Sequence, residues 1–289
     1  MALLITGAAG FIGSYFCKYE LECSVHQLES NIKINSSCGS NSVLKNELNN
    51  CSVILHLACL AHSNYSAQEL DEVNHLGTLA LATAAAKAGV KRFVFVSTVN
   101  VHGGVSVKPF TENSNLDDSI NTSKVKAENG LKIIGAQTGM EITIIRPVLV
   151  YGKGAPGNMA LLIRMASKLP FTPFGLVKNK RSFISVSNLC SFISVCVTHP
   201  KAANETFLVS DGYTVSTPVL MSAMALGMGK YIYHIPVPIW MLKFAAKLLG
   251  KSKQIGQILG DFEVETSKSQ EVLGWSPPET MAQAMVKLK

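Results

Sequence analysis

Behind a short apolar run the chain reads Thr6-Gly7-Ala8-Ala9-Gly10-Phe11-Ile12-Gly13, three glycines at intervals of three. A strand that turns through such a loop into a helix brings backbone N–H groups and the positive helix end to one point, where small residues leave room for a phosphate oxygen. That is the chemistry of pyrophosphate recognition, and here it points to a dinucleotide. The spacing is Gly-x-x-Gly-x-x-Gly, unlike the Gly-x-Gly-x-x-Gly of many dehydrogenases. About 20 residues on, an acid closing the second strand is expected to take ribose hydroxyls. Glu29 is best placed for this and would favour NAD over NADP, although a solvated surface carboxylate is the competing reading. Farther along, Arg181 precedes the apolar run Phe183-Ile184-Ser185-Val186, and its planar guanidinium suits bidentate contact with a diphosphate.

The elements that must position these groups follow from periodicity. Apolar runs at Ala2 to Thr6, Val53 to Leu57, Arg92 to Val96 and Glu141 to Ile145 read as strands, with Leu70 to Ala88 and Thr122 to Thr138 as helices between them. Such alternation predicts an α/β fold, a Rossmann-like doubly wound parallel sheet. Beyond Tyr151 the helical stretches Asn158 to Lys168, Val186 to Thr198, Thr217 to Leu226 and Ile239 to Leu249 predict a small C-terminal substrate-binding lobe. The expected division is a dinucleotide-binding domain over 1–150, to which some later segments return, and a mainly substrate-binding lobe over 151–289.

Composition narrows the classes. A 47% hydrophobic content over 289 residues supports a sizeable core. Seven cysteines, an odd count with no Cys-x-x-Cys pair, argue against a disulfide framework and against a zinc site, so no metal is expected and a reducing cytoplasm fits best. The net charge of +7 is scattered and not gathered into a patch with aromatics, which disfavours nucleic acid and favours small anions. The apolar segment Ile235 to Leu249 is broken by Pro236, Pro238, Lys243 and Lys247, too short for a span of about 20 residues. It reads as an amphipathic packing helix, and no membrane partner is expected.

The glycine loop is joined by His56-Leu57-Ala58-Cys59, Asn74 with Gly77-Thr78, Val96-Ser97-Thr98, Ser123-Lys124, Arg146-Pro147, Val150-Tyr151-Gly152, Arg181-Ser182-Phe183 and Leu273-Gly274-Trp275-Ser276-Pro277. In this order the pieces resemble the extended short-chain dehydrogenases/reductases, in the group of NAD-dependent nucleotide-sugar epimerases, 4-reductases and dehydratases. The resemblance implies NAD contacts at Gly7, Gly10, Phe11, Ile12, Gly13, Glu29, Leu57, Ala58, Asn74, Lys124 and Pro147. It also implies a UDP-sugar held by Thr98, Asn158 and Arg181, and a homodimer formed through the helices at Leu70 to Ala88 and Thr122 to Thr138.

In that family a Ser or Thr, a Tyr and a Lys act together. The phenol exchanges a proton with the sugar hydroxyl while C4 exchanges hydride with the nicotinamide, and the Lys lowers the phenol's pKa. Thr98 and Lys124 match two of these, but the tyrosine's position, four residues before the lysine, holds Ile120. Lys126 does not offer another register, since Thr122 stands at the same offset. Isoleucine cannot move a proton, and its presence removes assistance worth typically 10²- to 10⁴-fold, about 3 to 5 kcal/mol of barrier. Activity is then lost, or carried by Thr98, by His102 or by a water, or the residue is an engineered replacement. Val99-Asn100 after Thr98 replaces the Asp-Glu pair of 4,6-dehydratases, and Leu149 replaces an asparagine of galactose epimerases. The expected function is a UDP-sugar 4-epimerase or 4-keto reductase for surface polysaccharide precursors, with UDP-N-acetylhexosamine among the candidate substrates, and with impaired or rerouted proton transfer. The alternative is a catalytically silent protein that binds NAD or a sugar nucleotide.

Overall fold

A computed structural model of the chain describes residues 2–19, 25–27, 34–60, 65–117, 119 and 122–289. In chain order the first half forms β1 (Leu3–Thr6), α1 (Phe11–Tyr19), β2 (Val25–Gln27), α2 (Ser42–Asn49), β3 (Val53–His56), α3 (Ala67–Asp71), α4 (Thr78–Lys87), β4 (Arg92–Val96), α5 (Thr122–Thr138) and β5 (Glu141–Pro147). The second half forms β6 (Leu149–Tyr151), α6 (Gly157–Lys168), β7 (Phe171–Thr172), β8 (Arg181–Ser185), α7 (Val186–Thr198), β9 (Thr206–Val209), β10 (Thr214–Val215), α8 (Thr217–Gly227), β11 (Tyr233–His234), α9 (Ile239–Leu248), α10 (Ser252–Leu259), α11 (Ser267–Leu273) and α12 (Met281–Val286).

Six strands make one parallel sheet in the order β2-β1-β3-β4-β5-β9. Its inner strands are apolar on both sides because both faces are covered. Leu3, Ile5, Leu55 and Val94 pack under Phe16 of α1 and under Leu189, Phe192 and Ile193 of α7. Leu4, Ile54, Phe93 and Ile144 face Leu44 of α2, Leu81 of α4 and Leu131 of α5. Phe192 meets Phe207 and Trp275 edge to face at centroid distances of 5.6 and 4.9 Å, which ties β9 and the Trp275 turn to α7. Each such pair contributes roughly 0.5–1.5 kcal/mol beyond area burial. Buried Arg92 pairs with Glu141 at 2.7 Å and donates to the carbonyls of Cys196, Val197 and His199, capping the C-terminal end of α7 where orphan acceptors gather.

The expected helix from Leu70 to Ala88 starts earlier, at Ala67, behind a Ser66–Glu69 capping box. It passes through a π-helical turn over Glu72–Gly77 before α4. Strand β9, with α7 before it, lies beyond residue 150 and completes the sheet. A second core holds α6, α8 and α12 together through Met159, Leu162, Leu220, Met224 and Met285. The segment expected to pack as an amphipathic helix forms α9, which rests on this core through Leu242 and on α10 but buries only a narrow stripe. In α9 Ala246 alone is buried, while Trp240, Phe244 and Leu248 are exposed, because the stripe facing the core is the narrow one. Among the described residues no helix is long and apolar enough to cross a membrane.

Candidate functional site

The strand order reverses between β1 and β3, and in such sheets the crevice beyond the C-terminal strand ends at that point receives the ligand. The register brings those ends level: Thr6 stands opposite His56, His56 opposite Phe95, and Val96 opposite Ile145. Gly7, Leu57, Thr98 and Val148 therefore begin loops along one edge. Gly7 has φ of +74°, and a Cβ there would sit 2.6 Å from the Ala58 nitrogen; a Cβ on Gly13 would sit 2.2 Å from the Gly7 oxygen. No side chain fits at either point. Gly10 and its neighbour Ala9 are exposed, and α1 starts at Phe11, whose first-turn amides have no intrahelical acceptor. Phe11 and Ile12 turn inward onto the sheet core, so the helix mouth presents backbone. This donor set, next to the exposed Gly10, fits the pyrophosphate of a dinucleotide.

A hydrogen-bonded wire holds the crevice walls. Thr78 donates its hydroxyl to the Asn74 carbonyl at 2.9 Å, so toward His56 Nε2, at 3.0 Å, it can only accept. The His56 ring is then protonated on Nε2, and its Nδ1 accepts from the Thr6 hydroxyl at 2.6 Å. Thr6 Oγ1 in turn accepts from the Ala58 N–H at 3.4 Å. Burial, then the nearby Lys124 charge, lowers the His56 pKa to about 3, so the ring stays neutral. Asn74, expected to touch the cofactor, has its amide taken up by the Leu60 backbone, accepting from N–H at 2.8 Å and donating to C=O at 2.9 Å. It acts on the crevice through the loop that carries Leu57 and Ala58.

At the end of β4, Lys124 from the first turn of α5 donates to the Val96 carbonyl at 3.0 Å and lies 5.4 Å from the centre of the Phe95 ring. Thr98 stands two residues past that carbonyl, half-buried, and its oxygen caps a 3₁₀ turn by accepting from Asn100 N–H at 3.2 Å. Accepting there leaves its O–H as a donor. One turn on from Lys124, buried Glu128 accepts from Ser97 at 2.5 Å and pairs with buried Arg146 of β5 at 2.5 Å. Sequence reasoning had not singled out Glu128, although its i+4 spacing from Lys124 is a signal that the same helix face meets the sheet. Pro147 follows Arg146, buried and opposite Val209.

His102, one of the groups that could have replaced the tyrosine, is locked. A carbonyl only accepts and a guanidinium only donates. Nδ1–H therefore donates to the Asn115 carbonyl at 3.1 Å, and Nε2 accepts from Arg146 at 3.0 Å. The ring stacks on Phe110 at 5.3 Å, and burial lowers its pKa. Tyr151 is no substitute, since its phenol donates to Asp211 at 2.7 Å and burial raises its pKa. Ile120 and Glu29 lie outside the described residues.

On the substrate side, the Arg181 guanidinium does not stand open for a diphosphate. It donates to the Gln257 and Gly260 carbonyls at 2.5 and 2.9 Å, with its carbon 5.4 Å from the centre of the Phe262 ring, and burial lowers its pKa to about 10. Asn158 donates to the Gln257 side chain at 2.8 Å. Gln257 in α10 thus brings the two expected substrate residues together, and no motif in the sequence marked it. The Phe171–Gly175 turn splits: Phe174 is buried in the C-terminal lobe, whereas Phe171 is exposed beside Tyr233.

The sequence model of the NAD dependent epimerase/dehydratase family matches residues 3–210. The chain belongs to this family. NAD, the family's cofactor, is the dinucleotide that the glycine loop and crevice fit. A UDP-glucose 4-epimerase of Vibrio cholerae is 38% identical over 301 aligned residues, covering 97% of this chain and 92% of that protein. Among solved structures, UDP-N-acetylglucosamine 4-epimerase from Bacillus cereus superimposes with a TM-score of 0.78 at 16% identity, over 100% of this chain and 98% of that one. UDP-glucose 4-epimerase from Thermotoga maritima, with UDP-glucose, gives 0.74 at 21% identity, over 100% and 97%. At those identities the structural likeness shows the Rossmann-like fold of this epimerase/dehydratase family.

Proposed function

We propose that the chain acts at C4 of a UDP-sugar, as a 4-epimerase or 4-keto reductase, with proton transfer that does not use a tyrosine. The observation that carries this is the Lys124 hydrogen bond to the Val96 carbonyl, which holds the ammonium at the C-terminal end of β4, two residues before Thr98 and at the edge where the sheet's switch point opens. In this reading the amides of Gly10, Phe11, Ile12 and Gly13 hold the cofactor's phosphates, with Leu57, Ala58, Asn74 and Pro147 shaping the walls. Lys124 orients the nicotinamide ribose. When bound, NAD supplies hydride exchange with the sugar carbon. Thr98 donates its O–H to the sugar's C4 oxygen and orients it. Because the Thr98 hydroxyl is a weak acid and His102 is locked, the proton itself travels by water. Arg181 and Asn158 take the nucleotide diphosphate once α10 releases them, so Gln257 competes with substrate. The similarity to UDP-glucose and UDP-N-acetylglucosamine 4-epimerases supports this substrate class. In the same reading residues 1–150 mainly serve the cofactor and 151–289 mainly the substrate. The protein works in the cytoplasm as a homodimer joined through α4 and α5.

Ile120 favours a second reading, a silent protein that binds these ligands without turnover. The test is chromatography of UDP-hexoses and UDP-N-acetylhexosamines incubated with NAD(H) and either this chain or Ile120→Tyr. Slow turnover by the chain, accelerated about 10²- to 10⁴-fold by the tyrosine, is the expected result. Turnover confined to Ile120→Tyr assigns the silent reading. If neither reacts while both bind a sugar nucleotide, the C4 reaction is wrong.

A further inference from the structure

Helix α9 turns its apolar side to solvent. At about 100° per residue, Trp240, Phe244 and Leu248 fall in one line, on the side opposite Leu242 and buried Ala246. Trp240 is 69% exposed and Leu248 73%. Lys243 and Lys247 lie beside this line and are exposed, as is Lys251 just past the helix. Strand β11 is separated from α9 by four residues, and with β7 it exposes Phe171 and Tyr233, paired in register, at 56% and 74%. An apolar helix face of this kind is ordinarily covered.

Charge says by what. Between Glu141 and Asp261 the chain carries thirteen Lys and Arg against two acids, Glu205 and Asp211. Asp211 is buried under Tyr151 and Asn188, and Glu205 is paired with Lys268, so neither offsets the lysines of α9. A second copy on this face would bring lysine against lysine. A surface both apolar and anionic accepts aromatic and aliphatic side chains between flanking lysines, with Trp and Tyr at the boundary.

We propose that α9 and the β7–β11 ribbon form a docking face for an anionic lipid bilayer, with α9 lying flat in the headgroup region. This goes beyond the C4 reading and does not depend on it. Among the described residues no helix is long and apolar enough to cross the membrane, and the contact is reversible because one short helix inserts. The face is coupled to the substrate side through α10, which packs on α9 and whose Gln257 engages Asn158 and Arg181.

The full-length protein is sedimented with vesicles of phosphatidylcholine alone or of equal parts phosphatidylcholine and phosphatidylglycerol, and tryptophan emission is recorded. Trp275 is buried, so a blue shift reports Trp240. The expected result is binding to the anionic vesicles with a blue shift, weakened by salt. Trp240→Ala with Phe244→Ala, or Lys243→Gln with Lys247→Gln and Lys251→Gln, should lower binding by about tenfold or more while melting as the parent does. Absence of binding to the anionic vesicles overturns the proposal, as does equal binding to both vesicle types or binding that neither variant weakens. Self-association that Trp240→Ala with Phe244→Ala abolishes, without vesicle binding, assigns the face to a second copy instead.

Discussion

With isoleucine in place of tyrosine at position 120, the hydrogen bonds of Thr98 and His102 become the informative feature. Thr98 retains a donor, whereas His102 has both ring nitrogens committed and cannot serve as acid or base. What fixes His102 is the Glu128–Arg146 pair, with side chains 0% and 2% exposed. Breaking such a pair from one side strands a buried charge, which costs about 3 to 5 kcal/mol. Glu128→Gln should therefore lose roughly that much stability in urea unfolding, and Glu128→Gln with Arg146→Met should recover most of it. Equal loss in the single and double variants would show that packing, not charge, governs the site. Thr98 and Lys124 stood out through the family resemblance, whereas Arg146 figured only as the neighbour of Pro147 in a shared motif, with no role of its own. Glu128 was not legible, because a glutamate inside a helix reads as surface until the opposing arginine is known. Gln257 was not either, because α10 meets Arg181 across a long stretch of chain.

At the scale of elements, His56 joins β1, β3 and α4 through Thr6 and Thr78, and it does so as a neutral ring. Unfolded, this histidine takes a proton as the pH falls below about 6.5; folded, it refuses one until about pH 3. Stability is complete above the unfolded value and falls as acid is added, by about 2 kcal/mol at pH 5 for one such group. His102, lowered by burial, acts in the same direction. Thermal melts between pH 7 and pH 5 should show the loss, and His56→Asn should show a shallower slope; parallel slopes would mean that the ring titrates freely. The apolar runs of β1, β3, β4 and β5 announced themselves, since strands buried on both faces have little else to be. The π turn at Glu72–Gly77 did not, because it answers to the need to set Asn74 and Thr78 against Leu60 and His56. Nor did the exposure of α9. Periodicity reveals that a helix has an apolar face and is silent about what covers it.

For the whole molecule the order of the strands matters more than their number. The sheet's last strand, β9, comes from residues 206–209, and α7 before it covers one face of the sheet. A chain stopped after residue 150 keeps the glycine loop but leaves the β5 edge unpaired and Leu55 and Val94 bare, a surface that invites aggregation. Such a fragment should be insoluble and fail to enhance NADH fluorescence, whereas the full chain should do so. A soluble fragment that binds NADH would show that β9 is dispensable. The consequence reaches into biosynthesis. On the ribosome the cofactor half emerges first, yet its sheet lacks β9 until Val209 has left the exit tunnel, so slow codons between Pro147 and Thr206 should lengthen the time for which the β5 edge stands open to wrong partners.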